Sequence, residues 1–218
     1  MLKLWRSSGW LAYAALAVGA LAVAVLFARF VLATWFSTYD DEGYFLLALE
    51  RFRQAGSGAG EAWRFSHYGP FYYFVHSLLV GASVTHDAER AAALWCWLAA
   101  GGLAGWFVWR VSHNVLLAAS ATLASVRVLS VVGQEPGHPQ QVVAVLLALA
   151  CVACERPGAR RFCLAGAVGA ALLFTKINVG AFYLAALGHA VACVWPRGRW
   201  RTAALAVSLA YALAIVMK

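Results

Sequence analysis

The side chains that could do chemistry are few, and most of them are acids. Asp40, Asp41 and Glu42 follow one another in Ser37-Thr38-Tyr39-Asp40-Asp41-Glu42-Gly43-Tyr44, directly after a long apolar segment. A helix start would account for one or two of them. Thr38-x-x-Asp41 fits a capping box, and carboxylates in a first turn are stabilised by the helix dipole by about 0.3–1 kcal/mol each. Three adjacent carboxylates repel one another, however, and a metal, a base or an acceptor hydroxyl would relieve that repulsion. A solvated helix start and a catalytic carboxylate group are both open at this point.

Glu135 and His138 stand in a second polar stretch, Gly133 to Gln140, framed by Pro136 and Pro139. They are either solvated loop residues or, if they face the acidic cluster, groups that help hold a divalent cation or an acceptor. His67, in the turn Ser66-His67-Tyr68-Gly69-Pro70, has the same two readings. Among the bases, Lys176 and Arg127 belong to no basic cluster. Cations inside a membrane line polar cavities or snorkel to the headgroups, and in the first case these two would hold a phosphate. Arg29, one turn beyond a complete twenty-residue apolar span, reads as snorkelling.

The elements that position these groups follow from composition. Of the 218 residues, 63% are apolar and 12% charged, against about 25% charged in ordinary soluble domains. The chain is therefore expected to be an all-α, polytopic membrane helix bundle forming a single transmembrane domain. The net charge of +8 comes from short basic clusters between apolar runs, as the positive-inside rule expects, so nucleic acid is discounted as a partner and membrane lipids are expected. Lys3 and Arg6 precede a run too long for a cleaved signal, which reads as a retained anchor. Cys96, Cys151, Cys154, Cys163 and Cys193 lie inside apolar runs, an odd set that argues against a disulfide framework.

Seven runs approach the roughly 20 residues needed to cross hydrocarbon: 9–34, 88–109, 114–132, 140–154, 162–176, 179–195 and 202–217. A break at Lys176-Ile177-Asn178 separates the fifth from the sixth. Phe71 to Ser83 is apolar but short and rich in Tyr and His, which suit the interface. If it lies on the surface, Lys3, Arg6, Arg110 and the two Arg-rich loops after residue 155 share the cytoplasmic side. The expected topology thus has a cytoplasmic N-terminus, a long outer loop (35–87) with juxtamembrane helices and a second outer loop (133–140). Asp40 to Phe52 reads as one of those helices, amphipathic through Phe45, Leu49 and Phe52.

With the residues set out, a resemblance emerges. The apolar first helix followed by Tyr39-Asp40-Asp41-Glu42-Gly43-Tyr44 resembles the Asp-Glu signature that opens the first outer loop of membrane glycosyltransferases with the GT-C fold, such as protein O-mannosyltransferases and aminoarabinose transferases. His67-Tyr68-Gly69-Pro70-Phe71-Tyr72-Tyr73, Glu89-Arg90 entering a helix that ends at Trp109-Arg110, and Leu173-Phe174-Thr175-Lys176 are similar to its recurrent pattern. The resemblance implies sugar transfer from a polyprenyl-phosphate-linked donor to an acceptor on the outer, periplasmic face of a bacterial inner membrane, with Asp41 as general base. Two departures stand beside it. Glu135 is the only acid where better-known members usually carry an Asp, and those members run longer, so the chain is expected to be a catalytic core or a fragment cut after its seventh helix. The alternatives are a transporter or flippase for an anionic lipid or sugar, for which a broken helix with Lys176 at its tip is suited, and a non-catalytic membrane subunit.

Overall fold

The structure, a computed structural model, describes residues 2–34, 41–55, 68–132, 135–155, 158–194 and 198–216. Among these residues it contains nine α-helices and no strand: α1 (Leu2–Thr34), α2 (Asp41–Ala55), α3 (Pro70–Val80), α4 (His86–Ser112), α5 (Val115–Val132), α6 (Gln140–Cys154), α7 (Ala159–Leu173), α8 (Ile177–Val194) and α9 (Arg199–Val216).

Local chemistry sets several of the boundaries. α3 starts on Pro70, whose fixed φ suits a first helical position, and stops at Gly81, which takes a positive φ of 70°. Thr85 caps α4 by accepting the Ala88 N–H, and Asp87 and Glu89 lie in the first turn, where the dipole favours acids. Pro139 precedes α6, and the turn at Phe174–Lys176 separates α7 from α8.

α1, α4 and α5 pack together, α6 packs on α4, and α7, α8 and α9 follow as successive neighbours. The four-residue spacing of Ala24, Ala28 and Leu32 gives α1 one buried stripe, set against Ala93, Trp97, Ala100, Val126 and Leu129. Its other faces leave Leu21, Val23, Leu26 and Phe30 more than half exposed. In water that surface would cost about 25 cal/mol per Å²; in hydrocarbon it costs nothing. The α4–α5 contact is close because Gly101 and Gly105 face Thr122 and Val126, where a Cβ would collide. Such small-residue seams suit helix packing in lipid, where no hydrophobic drive exists between helices.

α6 runs parallel to α4. Its leading turn meets the start of α4 at Gly137 and Glu89, and at its far end Glu155 accepts from Arg110 Nε and Nη2 at 3.3 and 3.1 Å. Arg161, in the first turn of α7, approaches the same carboxylate at 3.8 Å. The bundle therefore has one end where Arg110, Glu155 and Arg161 meet and another where α2, α3 and the start of α4 meet.

Tyr13–Thr34, His86–Ser112 and Val115–Val132 are long and apolar enough to cross a membrane, which marks the chain as a membrane protein. The seven expected spans are met to that extent. α6 and α7 have fifteen residues each, cut short by Pro139 and by the turn at 174–176. α3 has eleven residues, about 16 Å at 1.5 Å per residue, half of what crossing requires. It buries Tyr72, Tyr73, His76 and Val80 and leaves Phe74, Leu78 and Leu79 exposed, so one face packs on the protein and the other presents apolar side chains outward. The five cysteines are free.

Candidate functional site

At the second end of the bundle a short helix must hold acids against an apolar body. α2 does so through its first turn. Glu42 receives Arg90 as a fork, Nε to Oε1 at 2.9 Å and Nη2 to Oε2 at 3.1 Å. His86 Nδ1 lies 3.3 Å from Oε1. Arg90 Nη1 reaches back to the Ala33 carbonyl at 3.4 Å. One guanidinium thus ties the last turn of α1, the first turn of α2 and the first turns of α4, in the bidentate geometry that lysine cannot reproduce.

Beneath this pair lies a buried polar layer. Glu89 is fully buried, with Oε1 3.2 Å from His76 Nε2. Burial, and next the charge of Arg53, hold His76 down to about pKa 4, so near neutral pH it is an uncharged imidazole donating to the carboxylate. The Tyr72 phenol donates to the Gly137 carbonyl. Burial first, and then the Glu89 charge, push its pKa well up, so it remains a donor. Gly137 has φ 76° and lies so close to Glu89 that a Cβ there would overlap Oε1. A left-handed conformation and the absence of a side chain are both required at that position.

Two further contacts seat α3. The Gly69 and Phe71 N–H groups donate to the carbonyls of Thr175 and Phe174, each at 3.1 Å, which docks the α7–α8 turn on the leading end of the helix. At the trailing end Arg53 of α2 donates to Ser77 Oγ at 3.0 Å, to the Ser77 carbonyl at 2.9 Å and to the Gly81 carbonyl. A cation there satisfies terminal carbonyls and opposes the negative end of the dipole. Phe52 stacks on Tyr73 with centroids 5.6 Å apart.

The residues singled out from sequence are distributed as follows. Asp40 and His67 lie outside the described residues. Asp41 opens α2 beside Glu42, and its side chain is likewise not described. His138 joins an aromatic cluster, its ring 5.7 Å from Phe45 and 6.2 Å from Tyr68. Its Nδ1 accepts the Gln140 N–H at 3.2 Å, so this nitrogen serves the local turn. Glu135 contributes its carbonyl to Gln141 Nε2 at 2.8 Å and is half-buried. Lys176, half-buried, sits in the turn docked on α3. Arg127 lies on α5, exposed, with Nη1 on Ser130 Oγ of its own helix at 2.9 Å. Thus α2, the 135–139 turn and the Lys176 turn converge on α3, whereas Arg127 belongs to the α1–α4–α5 side.

Sequence reasoning did not single out Arg90, His86, Glu89, His76 or Tyr72 as site residues. Glu89 and Arg90 were visible only as part of a family-like pattern, and His76 and Tyr72 are hidden in an apolar run. Glu42, His86 and Glu89 each offer a ligand atom within 4.8 Å of the others. Two carboxylates and an imidazole suit a divalent cation such as zinc or manganese, and they differ from the Glu135 and His138 expected from sequence. Comparison of the chain with protein-family models, with curated proteins and with solved structures finds no match.

Proposed function

We propose that the chain is a membrane glycosyltransferase, or the core of one, transferring a sugar from a polyprenyl-phosphate-linked donor to an acceptor at the face where α2 and α3 meet. The observation that carries this is the Glu42–Arg90 fork. It fixes the first turn of α2 on a cation, so Asp41, the neighbouring residue, starts its helix at the rim of a carboxylate-rich, aromatic-walled site.

Transfer needs a proton removed from the acceptor hydroxyl as its oxygen attacks the anomeric carbon, while the bond from that carbon to the phosphate oxygen breaks. In this proposal Asp41 takes the proton and the fixed cations hold the departing phosphate. Glu42 positions Arg90. A divalent cation held by Glu42, His86 and Glu89 would add further positive charge toward that phosphate.

The orientation in this proposal puts Arg110, Glu155 and Arg161 in the cytoplasm, in keeping with the positive-inside rule, and the α2–α3 end outside a bacterial inner membrane, with seven helices crossing. Release of sugar from a polyprenyl-phosphate donor, followed in detergent with the native chain and with Asp41→Asn, tests the proposal. Transfer that falls by at least about a hundredfold in the variant is expected of a general base; transfer at the native rate removes Asp41 from the chemistry. Movement of the lipid across proteoliposomes without transfer would instead identify a transporter, for which a broken helix with Lys176 at its tip is suited.

A further inference from the structure

A groove of about 450 Å³ opens between the last turns of α1 and the first turns of α4. Arg29 and Leu32 line one side, Asp87, Arg90 and Leu94 the other. None of the functions assigned above uses Arg29. Its guanidinium makes no hydrogen bond or ion pair to another described residue, whereas Arg90 is aimed by Glu42 and the Ala33 carbonyl. Arg29 lies five residues before the end of α1, roughly 7.5 Å along the axis at 1.5 Å per residue, the depth of lipid headgroups below a helix end.

One turn deeper than Arg90 the α4 wall of the groove turns apolar at Leu94, and the surfaces beside it expose Leu26, Phe30 and Trp95. Asp87, exposed and one turn nearer the helix end, sets a negative charge toward the water. A free anion approaching from solvent meets that carboxylate first; a phosphate carried on a hydrocarbon chain enters from the apolar side.

We infer that this groove binds the phosphate of a membrane lipid, with Arg29 and Arg90 on the phosphate and the first carbons of the chain against Leu94. Identifying the lipid as the polyprenyl-phosphate donor rests on the glycosyltransferase proposal, and places its phosphate here and not at Lys176 or Arg127. The binding itself requires no transfer.

The full chain in detergent micelles, titrated with farnesyl phosphate and followed by thermal unfolding, tests the inference. Farnesyl phosphate should stabilise the native chain, and farnesol or inorganic phosphate should bind at least about tenfold more weakly, the cost of losing one charge-assisted contact or the apolar tail. Arg29→Gln should weaken binding about tenfold, Arg29→Lys less, and Leu94→Trp should block it by filling the groove with no change of charge. Because Arg29 is exposed and has no described polar partner, Arg29→Gln should unfold at the native temperature without ligand. Native-strength binding by Arg29→Gln, or inorganic phosphate binding as well as the lipid, overturns the groove. A native chain that binds the lipid through Arg29 yet transfers no sugar keeps the groove and discards the transferase.

Discussion

Replacing Glu42 and Arg90 singly and together measures how firmly the first turn of α2 is held. The pair has two charge-assisted contacts, at 2.9 and 3.1 Å, and its side chains are 12% and 29% exposed. A fully buried pair costs about 3–5 kcal/mol when one partner is removed, an exposed one about 0–1. The intermediate exposure sets about 2 kcal/mol for Arg90→Ala, roughly a thirtyfold change in the folded ratio, part of it from the lost Ala33 contact. Glu42→Ala should cost about 1–2 kcal/mol by the same reasoning. The double variant should cost less than the sum, leaving a coupling of about 1–2 kcal/mol. Arg90→Lys keeps the charge but cannot fork and should recover less than half of the coupling. Unfolding of the full chain in mixed detergent micelles gives the four free energies. Additivity within about 0.5 kcal/mol would refute the claim that this pair anchors α2.

Three other outcomes are expected. Since His76 titrates near 4 in the folded chain and near 6.5 when unfolded, the unfolded state takes up the proton first. Stability should hold above pH 6.5 and fall by about 3 kcal/mol as pH drops through that window to 4; His76→Gln should flatten this part of the curve, and an unaltered pH profile would contradict a neutral buried imidazole. Gly137→Ala forces an L-residue to φ 76° and drives a methyl into Glu89, so it should cost at least about 1–2 kcal/mol from the backbone alone; an unfolding temperature equal to native would show that the turn relaxes. A cysteine introduced by Gly58→Cys, between α2 and α3, should react with an impermeant thiol reagent applied to intact cells, and labelling only after lysis would reverse the orientation.

Much of the helical framework was legible in the chain. The positions of α1, α4 and α5 follow from long apolar runs, the start of α3 from Pro70, and the α7–α8 division from the polar Lys176 turn. The extent of crossing was less legible, because an apolar run of fifteen residues serves equally for a short span and for a helix buried among others. The site was legible only in part. Three adjacent acids announce themselves, but which cation answers them depends on a fold that brings Arg90 to Glu42 across 48 positions. Glu89 looks like an ordinary first-turn acid, and nothing in its neighbours signals that α3 and Gly137 will cover it. Pro136 and Pro139 suggested a rigid turn that would present His138; the turn instead occupies Nδ1 with its own backbone.

The Arg53 grip on the end of α3, with the Phe52–Tyr73 stack and the buried Leu49, makes α2 and α3 adhere through space. These contacts are made by residues of the two helices themselves. A nick in the chain between residues 55 and 68 should therefore leave two polypeptides that stay associated, and the α2–α3 unit should survive as a split pair.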